Sequence, residues 1–391
     1  MKYNSNLPRT IVALALIATG TFCLVSRRAS LGSLALGSEL SPAARAAQTS
    51  NAMPTFENAK LESKNLAAAL SDEISRWAGS ATAPQWLAYA VPAVDGQKVI
   101  CCGGRGDWNG YRDCGPCHLE DRNHGENFTS GPPKGKLEGP RSLIVLFRAE
   151  HGKLGKIRVA SEDCILDAGG LRVTWLTGVN PARSVEYLAS FVLGKYVEDR
   201  YPEDLAHGAL TAIAMHGDAS ADKAMRSFVE PSQPESLRKQ TAFWLGEARG
   251  ASGFQTLKQL AWTEKNSEVR SHLTFALSVS RESGAIDEMI RMAHEDESTH
   301  VRGQALFWIA QKAGQKAAAT ISGAIENDPD EEVKKKAVFA LTQMPDGEGV
   351  PKLIQVAQTN KNPEVRKQAM FWLGQSNDPR ALDFFEKILS R

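Results

Sequence analysis

The chain has 391 residues and is short of the features that announce an enzyme or a membrane protein. Its longest apolar run, Ile11–Val25, has 15 residues, fewer than the about 18 that a bilayer-spanning helix needs. Charge of one sign is missing too. With 46 Lys and Arg against 45 Asp and Glu, the net charge is +1. Without clustered cations to displace counterions, general nucleic-acid binding is excluded. There is no G-x-S-x-G elbow, P-loop, dinucleotide fingerprint or H-E-x-x-H helix. Cysteine is scarce, six in all, and none lies beyond Cys164. Thiol chemistry is therefore confined to the N-terminal half.

The C-terminal half is organised by a repeat. Phe243, Phe275, Phe307, Phe339 and Phe371 recur at a step of 32 residues. Leu237-Arg238, Val269-Arg270, Val301-Arg302, Val333-Lys334 and Val365-Arg366 keep the same step, as do Leu245, Leu277, Ile309, Leu341 and Leu373. A fixed period of this size means a stack of one supersecondary unit. Counting the Val or Leu as position 0, apolar or small residues follow at 4, 7 and 8, which is one face of an α-helix. Turn signals such as Asn377-Asp378-Pro379 come next, then a second helix such as Arg380–Leu389. Two helices per unit in register make an α-solenoid. The first helix is apolar almost all round, so its Phe and Trp residues are expected in the core. Position 7 alternates Trp244, Ala276, Trp308, Ala340, Trp372, as expected if neighbouring units cannot both fit an indole at one depth. The cations at position 1 are read as structural bridges to acidic residues of neighbouring turns.

The pattern VR-x-x-A-x-x-(W/A)-L-G resembles the short HEAT repeat of the bilin-lyase type. Five units are clear. A weaker sixth precedes them, with Leu205, Ala209, Ala212 and Ile213 in phase but Thr211 in place of Phe. The resemblance covers roughly 203–391 and implies a HEAT-like solenoid, a scaffold that serves adaptors, lyases and a metal hydroxylase alike. The hydroxylase members use repeated His-Glu pairs as iron ligands. Here only His294-Glu295 has that form, and one pair cannot supply several converging ligands.

At the other end, residues 1–46 carry a charge of +4 and leave −3 for the rest. Lys2 and Arg9 precede the apolar run, and Ala44-Arg45-Ala46 offers an A-x-A cleavage site. The segment reads as a signal peptide, with an uncleaved N-terminal anchor as the alternative. Either places the body outside the cytoplasm, in the periplasm or secreted, as in an exported bacterial protein. Arg27-Arg28 behind the run oppose translocation.

Between leader and repeats the period changes. Residues 47–80 read as a helical linker, with Phe56, Leu61, Leu66, Leu70 and Ile74 on an amphipathic helix. Residues 81–178 read as a small β-rich domain: Trp86–Val94, Gln97–Cys102, Ser142–Arg148, Lys156–Ala160 and Leu171–Leu176 are short runs rich in β-formers, expected to pair antiparallel through hairpins. Residues 179–202 read as a helix capping the solenoid that fills 203–391. The fold class is thus α+β, with an all-α solenoid after a cysteine-containing β domain.

The β region contains a long loop, Gly103–Arg141, and every cysteine of the presumed mature chain lies in or near it. Four chemistries compete there. Disulfides among Cys101, Cys102, Cys114 and Cys117 suit an exported domain with a thin core. Closing a loop of about 12 residues would stabilise by about 3 kcal/mol in the chain-entropy model. Cys114-Gly115-Pro116-Cys117-His118 also matches C-x-x-C-H, the attachment motif of haem c, although no Met lies between Met53 and Met215 as a sixth ligand. Cys-Gly-Pro-Cys is a dithiol sequence, but it is not placed at a helix start after a buried strand. Finally, Cys101, Cys102, Cys114 and Cys117 supply enough thiolates for a four-cysteine zinc site, with an awkward adjacent pair.

The residues together indicate an extracytoplasmic, non-enzymatic protein that binds a protein or peptide partner on its solenoid and needs no cofactor. Membrane contact is limited to the N-terminal segment. The rival reading is a c-type haem or thiol redox protein working through Cys114, Cys117 and His118.

Overall fold

The computed structural model describes residues 53–96, 117–120, 141–312 and 314–390. The leader, Cys101, Cys102, Cys114, the expected strand Gln97–Cys102 and nearly all of the long loop lie outside the described residues. The β-rich part holds strands β1 (Thr55–Glu57), β2 (Lys60–Asn65), β3 (Gln85–Pro92), β4 (Cys117–His118), β5 (Ser142–Glu150), β6 (Lys153–Ser161), β7 (Ile165–Asp167) and β8 (Arg172–Thr177). Helix is confined to α1 (Leu70–Gly79) in the segment expected to be a helical linker. Phe56 and Leu61 instead lie on strands that pair with β7 and β8, because sequence-distant partners outweigh a short helical period.

Five strands form one sheet in the order β2-β8-β3-β5-β6, and β1-β7-β4 form a second. The expected antiparallel pairing is found for β3–β5 and β5–β6, whereas β2 and β3 flank β8 in parallel. The β5–β6 hairpin turns at His151-Gly152, both at positive φ (50° and 74°), the backbone of a two-residue I′ turn. Strand β5 is continuously apolar from Leu143 to Phe147 because both faces of the larger sheet are covered. Leu87, Tyr89, Val145 and Phe147 face the helices, and Trp86, Ile144, Leu146 and Trp175 face a second cluster that includes Cys117, Cys164 and Leu166.

Helix α2 (Pro181–Tyr196), capped by Asn180, follows the sheet where a capping helix was expected. The Tyr89 hydroxyl and Ser184 Oγ share a buried hydrogen bond of 2.9 Å between them. Six helix pairs then stack: α3 (Glu203–Met215) with α4 (Ala219–Phe228), α5 (Glu235–Ala248) with α6 (Gly250–Thr263), α7 (Ser267–Val279) with α8 (Gly284–Glu295), α9 (Thr299–Lys312) with α10 (Gly314–Asn327), α11 (Glu331–Thr342) with α12 (Val350–Thr359), and α13 (Pro363–Gly374) with α14 (Pro379–Leu389). The weak first unit is thus a full helix pair. Asn266, Asp330 and Asn362, members of one 32-residue row, each accept the backbone N–H two residues on at 2.8 Å and cap α7, α11 and α13.

One buried cluster runs from Leu70 through the sheet and every helix pair to Phe384, so sheet and solenoid share a core. The junction is tight. A Cβ on Gly208 in α3 would sit 2.2 Å from the Ile157 carbonyl oxygen of β6. Gly208→Ala is therefore expected to cost about 1–3 kcal/mol in urea unfolding, since backbone rather than a pliable side chain must yield. The end of β3 is tied to the end of α3 by Val94 N–H donating to Met215 O (2.9 Å) and Gly217 N–H to Pro92 O (2.7 Å). His216 sits there fully buried. Its Nδ1 accepts the Asp218 N–H at 3.2 Å, and its Nε2 has no partner among the described residues. Burial holds the imidazole pKa down to about 4, with nearby Arg249 adding to the effect and Asp218 opposing it. Between pH 6.5 and about 4 the unfolded chain binds the extra proton, so stability should fall as pH drops through that window. The loss approaches roughly 3 kcal/mol from this one group, and a His216→Asn variant should show a flatter stability profile from pH 7 to 4.

Candidate functional site

Two ladders run along the first helices of the units, which pack side by side. The first is aromatic. Phe243 stacks on Phe275 (5.7 Å, 14°), Phe275 meets Trp308 (4.8 Å), and Trp308 meets Phe307 (4.9 Å). Phe307 stacks on Phe339 (6.2 Å, 8°), Phe339 meets Trp372 (4.9 Å), and Trp372 meets Phe371 (5.0 Å). With Trp244 against Phe243, one unbroken chain of rings spans five units. The Trp/Ala alternation follows from this geometry. Where position 7 is Ala276 or Ala340, the Phe of that unit lies parallel on the Phe before it. Where it is Trp308 or Trp372, the indole separates the two phenyl rings.

These rings are not the core they were expected to be. Phe243, Phe275, Phe307 and Phe339 are half-buried, as are Trp308 and Trp372, and Phe371 is 53% exposed. Only Trp244 lies deep. The helices are apolar nearly all round, yet the partner helix and both neighbours cover only part of the circumference. The remaining stripe faces outward. At about 100° per residue, position 6 lies about 100° from position 7 and about 160° from positions 4 and 8, so the period sets the phenylalanines off the core stripe; the apolar character of the whole helix is what pointed to burial.

The second ladder is ionic and buried. Arg270 holds Asp296 with two hydrogen bonds (2.9 and 3.1 Å) and donates to the Glu264 and Lys265 carbonyls. Arg302 repeats this on Asp328 and on the Asp296 and Glu297 carbonyls. Arg238 pairs with Glu264. The loops at Glu264 and Asp296 are thus each held by the arginine of the unit before and of the unit after. The bidentate carboxylates raise the guanidinium pKa of Arg270 and Arg302 further. The bridges to acidic residues expected of the position-1 cations are made by Arg238, Arg270 and Arg302, whereas Lys334 and Arg366 donate to backbone carbonyls. Their acid partners went unrecognised in the sequence, although Glu264, Asp296 and Asp328 keep the 32-residue step. Where the next member becomes Asn360, the matching cation is Lys334, which donates to the Glu326 carbonyl instead. The acidic cluster Glu295-Asp296-Glu297 is therefore only partly solvated: Asp296 is 5% exposed.

At the cysteine cluster, β4 pairs Cys117 with Leu166 and His118 with Asp167. Cys117 is buried among Trp86, Leu119 and Leu166, while the His118 side chain is 55% exposed, with Nδ1 2.9 Å from Asp167 Oδ2. Asp167 accepts the Gly169 N–H, which with Asn58 and His118 holds its carboxyl below the usual carboxylate range against the opposing effect of burial. Successive residues of a strand face opposite sides. The Cys117 sulfur points into the core and the His118 imidazole points out, so they do not fit one haem macrocycle. No group of three potential metal ligands converges among the described residues, and Cys101, Cys102 and Cys114 lie outside them. Protein made alongside a haem-ligation system is expected to show no Soret band that survives acid-acetone extraction.

A family model described as HEAT repeats matches residues 318–391. The helical part of the chain is a HEAT-like repeat array. Comparison with curated proteins gives no match. Among solved structures, human deoxyhypusine hydroxylase in complex with glycerol is 16% identical, covering 53% of this chain and 90% of its own, at a TM-score of 0.28. The complex of CpcE and CpcF of phycocyanin lyase from Nostoc sp. PCC7120 is 15% identical over 41% and 100%, at 0.31. The Escherichia coli protein YibA is 19% identical over 55% and 82%, at 0.34. No activity is carried over from any of them. The iron-ligand pattern of hydroxylases is absent from the HEAT-like array beyond His294-Glu295, and Glu295 there lies 3.6 Å from Arg291.

Proposed function

We infer that the protein is a non-enzymatic scaffold acting outside the cytoplasm, with the outward ring ladder of its HEAT-like array as the surface that engages a protein partner. The observation that carries this reading is the ladder itself: a continuous aromatic stripe, half-buried at four phenylalanines and open at Phe371, on a framework made rigid by the buried arginine bridges. Soluble proteins rarely leave contiguous apolar surface without a use. The test is a photo-crosslinking residue in place of Gln304, beside the ladder, with a second in place of Lys258 on α6 as reference. A partner captured at Gln304 and not at Lys258 supports the reading; capture at neither position overturns it.

The extracytoplasmic part rests on the leader-like N-terminus and on Cys164. That residue is buried, and on this reading it is paired in a disulfide, as suits an oxidising compartment. Cys101, Cys102 and Cys114 are the candidate partners. Intact mass of protein recovered from the compartment, with and without reductant, tests export and oxidation together. A full-length, fully reduced chain in the cytoplasm would refute both.

A further inference from the structure

We propose that two copies of the chain pack tail to tail through the face that the sixth helix pair leaves open, forming a two-fold dimer. The face takes Met370, Phe371 and Gly374 from α13, and Leu382, Ile388 and Leu389 from α14. Leu389 is 83% exposed, Leu382 61% and Ile388 42%. The same rows are covered wherever another unit follows. In the Leu389 row, Ala261, Ala293 and Ile325 are buried, and in the Leu382 row so are Phe254 and Val350. In the Met370 row, Ala242, Thr274, Leu306 and Val338 have no exposed surface, while Met370 is half-buried. All keep the 32-residue step, and the cover in each case is the next helix pair. Gly374 carries the same mark. Its counterpart Gly246 lies so close to the following first helix that a Cβ would sit 2.0 Å from the Ala276 carbonyl oxygen. A Cβ on Gly374 would instead meet its own unit, at Phe385 Cζ, 3.9 Å away.

A unit that closes an array turns a polar side outward. Here the trend is reversed. The row Ala261, Ala293, Ile325, Ala357 leads to Leu389, and Ala318 and Val350 give way to Leu382. The face thus repeats the chemistry of the contact that each internal unit makes with the next, and what fits it is a second helix pair of the same kind. The rest of the molecule sets which one. The opposite end of the array is covered by α2 and β6, which pack on α3. A second copy therefore has no complementary end to offer, and head-to-tail growth into a filament is ruled out. Among the described residues the matching surface on a second copy is this same face, and like meeting like gives a closed two-fold contact. The charges allow it. Helix α14 carries Arg380 and Lys387 with Asp383 and Glu386, all exposed, so two copies meet without net repulsion. Phe371 belongs both to this face and to the ring ladder, so the two ladders approach each other at the join.

Sedimentation velocity of the full chain from about 1 to about 200 µM tests the dimer, since mass action makes its population depend on protomer concentration. A reversible passage from one chain mass to two is expected. A Leu382→Glu, Leu389→Glu double variant alters two outward positions, so the circular dichroism spectrum should not change. Its dissociation constant should rise at least about a hundredfold, because each carboxylate loses water against its own copy. Lys258→Glu, on α6 away from the face, should leave the dimer as it is. A photo-crosslinking residue in place of Leu389 should join two full chains through α13 or α14. A single chain mass at every concentration, a dimer indifferent to the double variant, or assembly beyond two chains would each overturn the proposal. So would crosslinks from Leu389 that stay within one chain or reach a different protein alone. Capture of a partner at Gln304 tests the scaffold reading separately, and neither result decides the other.

Discussion

Arg270→Ala should lower the unfolding free energy by about 3–5 kcal/mol, the range seen when one member of a buried ion pair is removed. Arg270 is 5% exposed and Asp296 equally so. Without the guanidinium, Asp296 is left charged in a dry loop, and the Glu264 and Lys265 carbonyls lose their donor. The damage is to one loop, but an array in which units contact only neighbours propagates it to both adjoining units. Denaturant unfolding followed by helix content should show a reduced midpoint. A double Arg270→Met, Asp296→Leu variant should recover part of the loss, because the penalty lies in the unpaired charge more than in the missing attraction. Arg366→Ala is the internal control. That residue contacts only the Asn360 and Lys361 carbonyls, at 2.7 and 3.1 Å, and is half-exposed. A cost of about 1 kcal/mol is expected there. Equal losses at Arg270 and Arg366 would show that the bridges between units do not hold the array.

The second large effect lies where sheet meets helices. Phe147→Ala should cost about 3–5 kcal/mol. Phe147 has no exposed surface and lies 6.0 Å from the Tyr89 ring, 5.9 Å from Tyr187 and 6.3 Å from Phe191. Removing its ring leaves a cavity bounded by a sheet on one side and helix α2 on the other, neither free to collapse. Near-ultraviolet circular dichroism should lose intensity as the tyrosines are released from a fixed environment. Phe371→Ala removes the same side chain from the open end of the ring ladder and should cost under about 1 kcal/mol. The contrast separates aromatic residues that make the core from those that make the surface.

Much of this was readable before any coordinates. The 32-residue step located all five strong units, and the weak phase of Leu205, Ala209 and Ile213 correctly announced a sixth. Strands around Trp86–Val94, Ser142–Arg148 and Leu171–Leu176 were legible from their β-branched and aromatic content, to within a few residues. Phe56 and Leu61 were not. Their helical spacing is genuine, but β1 and β2 are held by backbone pairing to residues more than a hundred positions away. Parallel pairing of that kind leaves no local signature. The Cys117-His118 pair misled for a related reason. As a string it matches a haem motif, and only its placement on a strand reveals that the two side chains face apart.

The residues by themselves determined the repeat, its length, the helix pair within it, the absence of known catalytic motifs and the confinement of cysteine to one half of the chain. These are properties of periodicity and composition, which a linear code carries directly. Only the tertiary structure decided which aromatic side chains are buried, which acids answer the arginines, and that sheet and solenoid share one core. Those outcomes depend on how much of each helix its neighbours cover and on contacts between residues 26 or more positions apart. Burial is a property of the packed surface, and periodicity specifies only which side chains share a face.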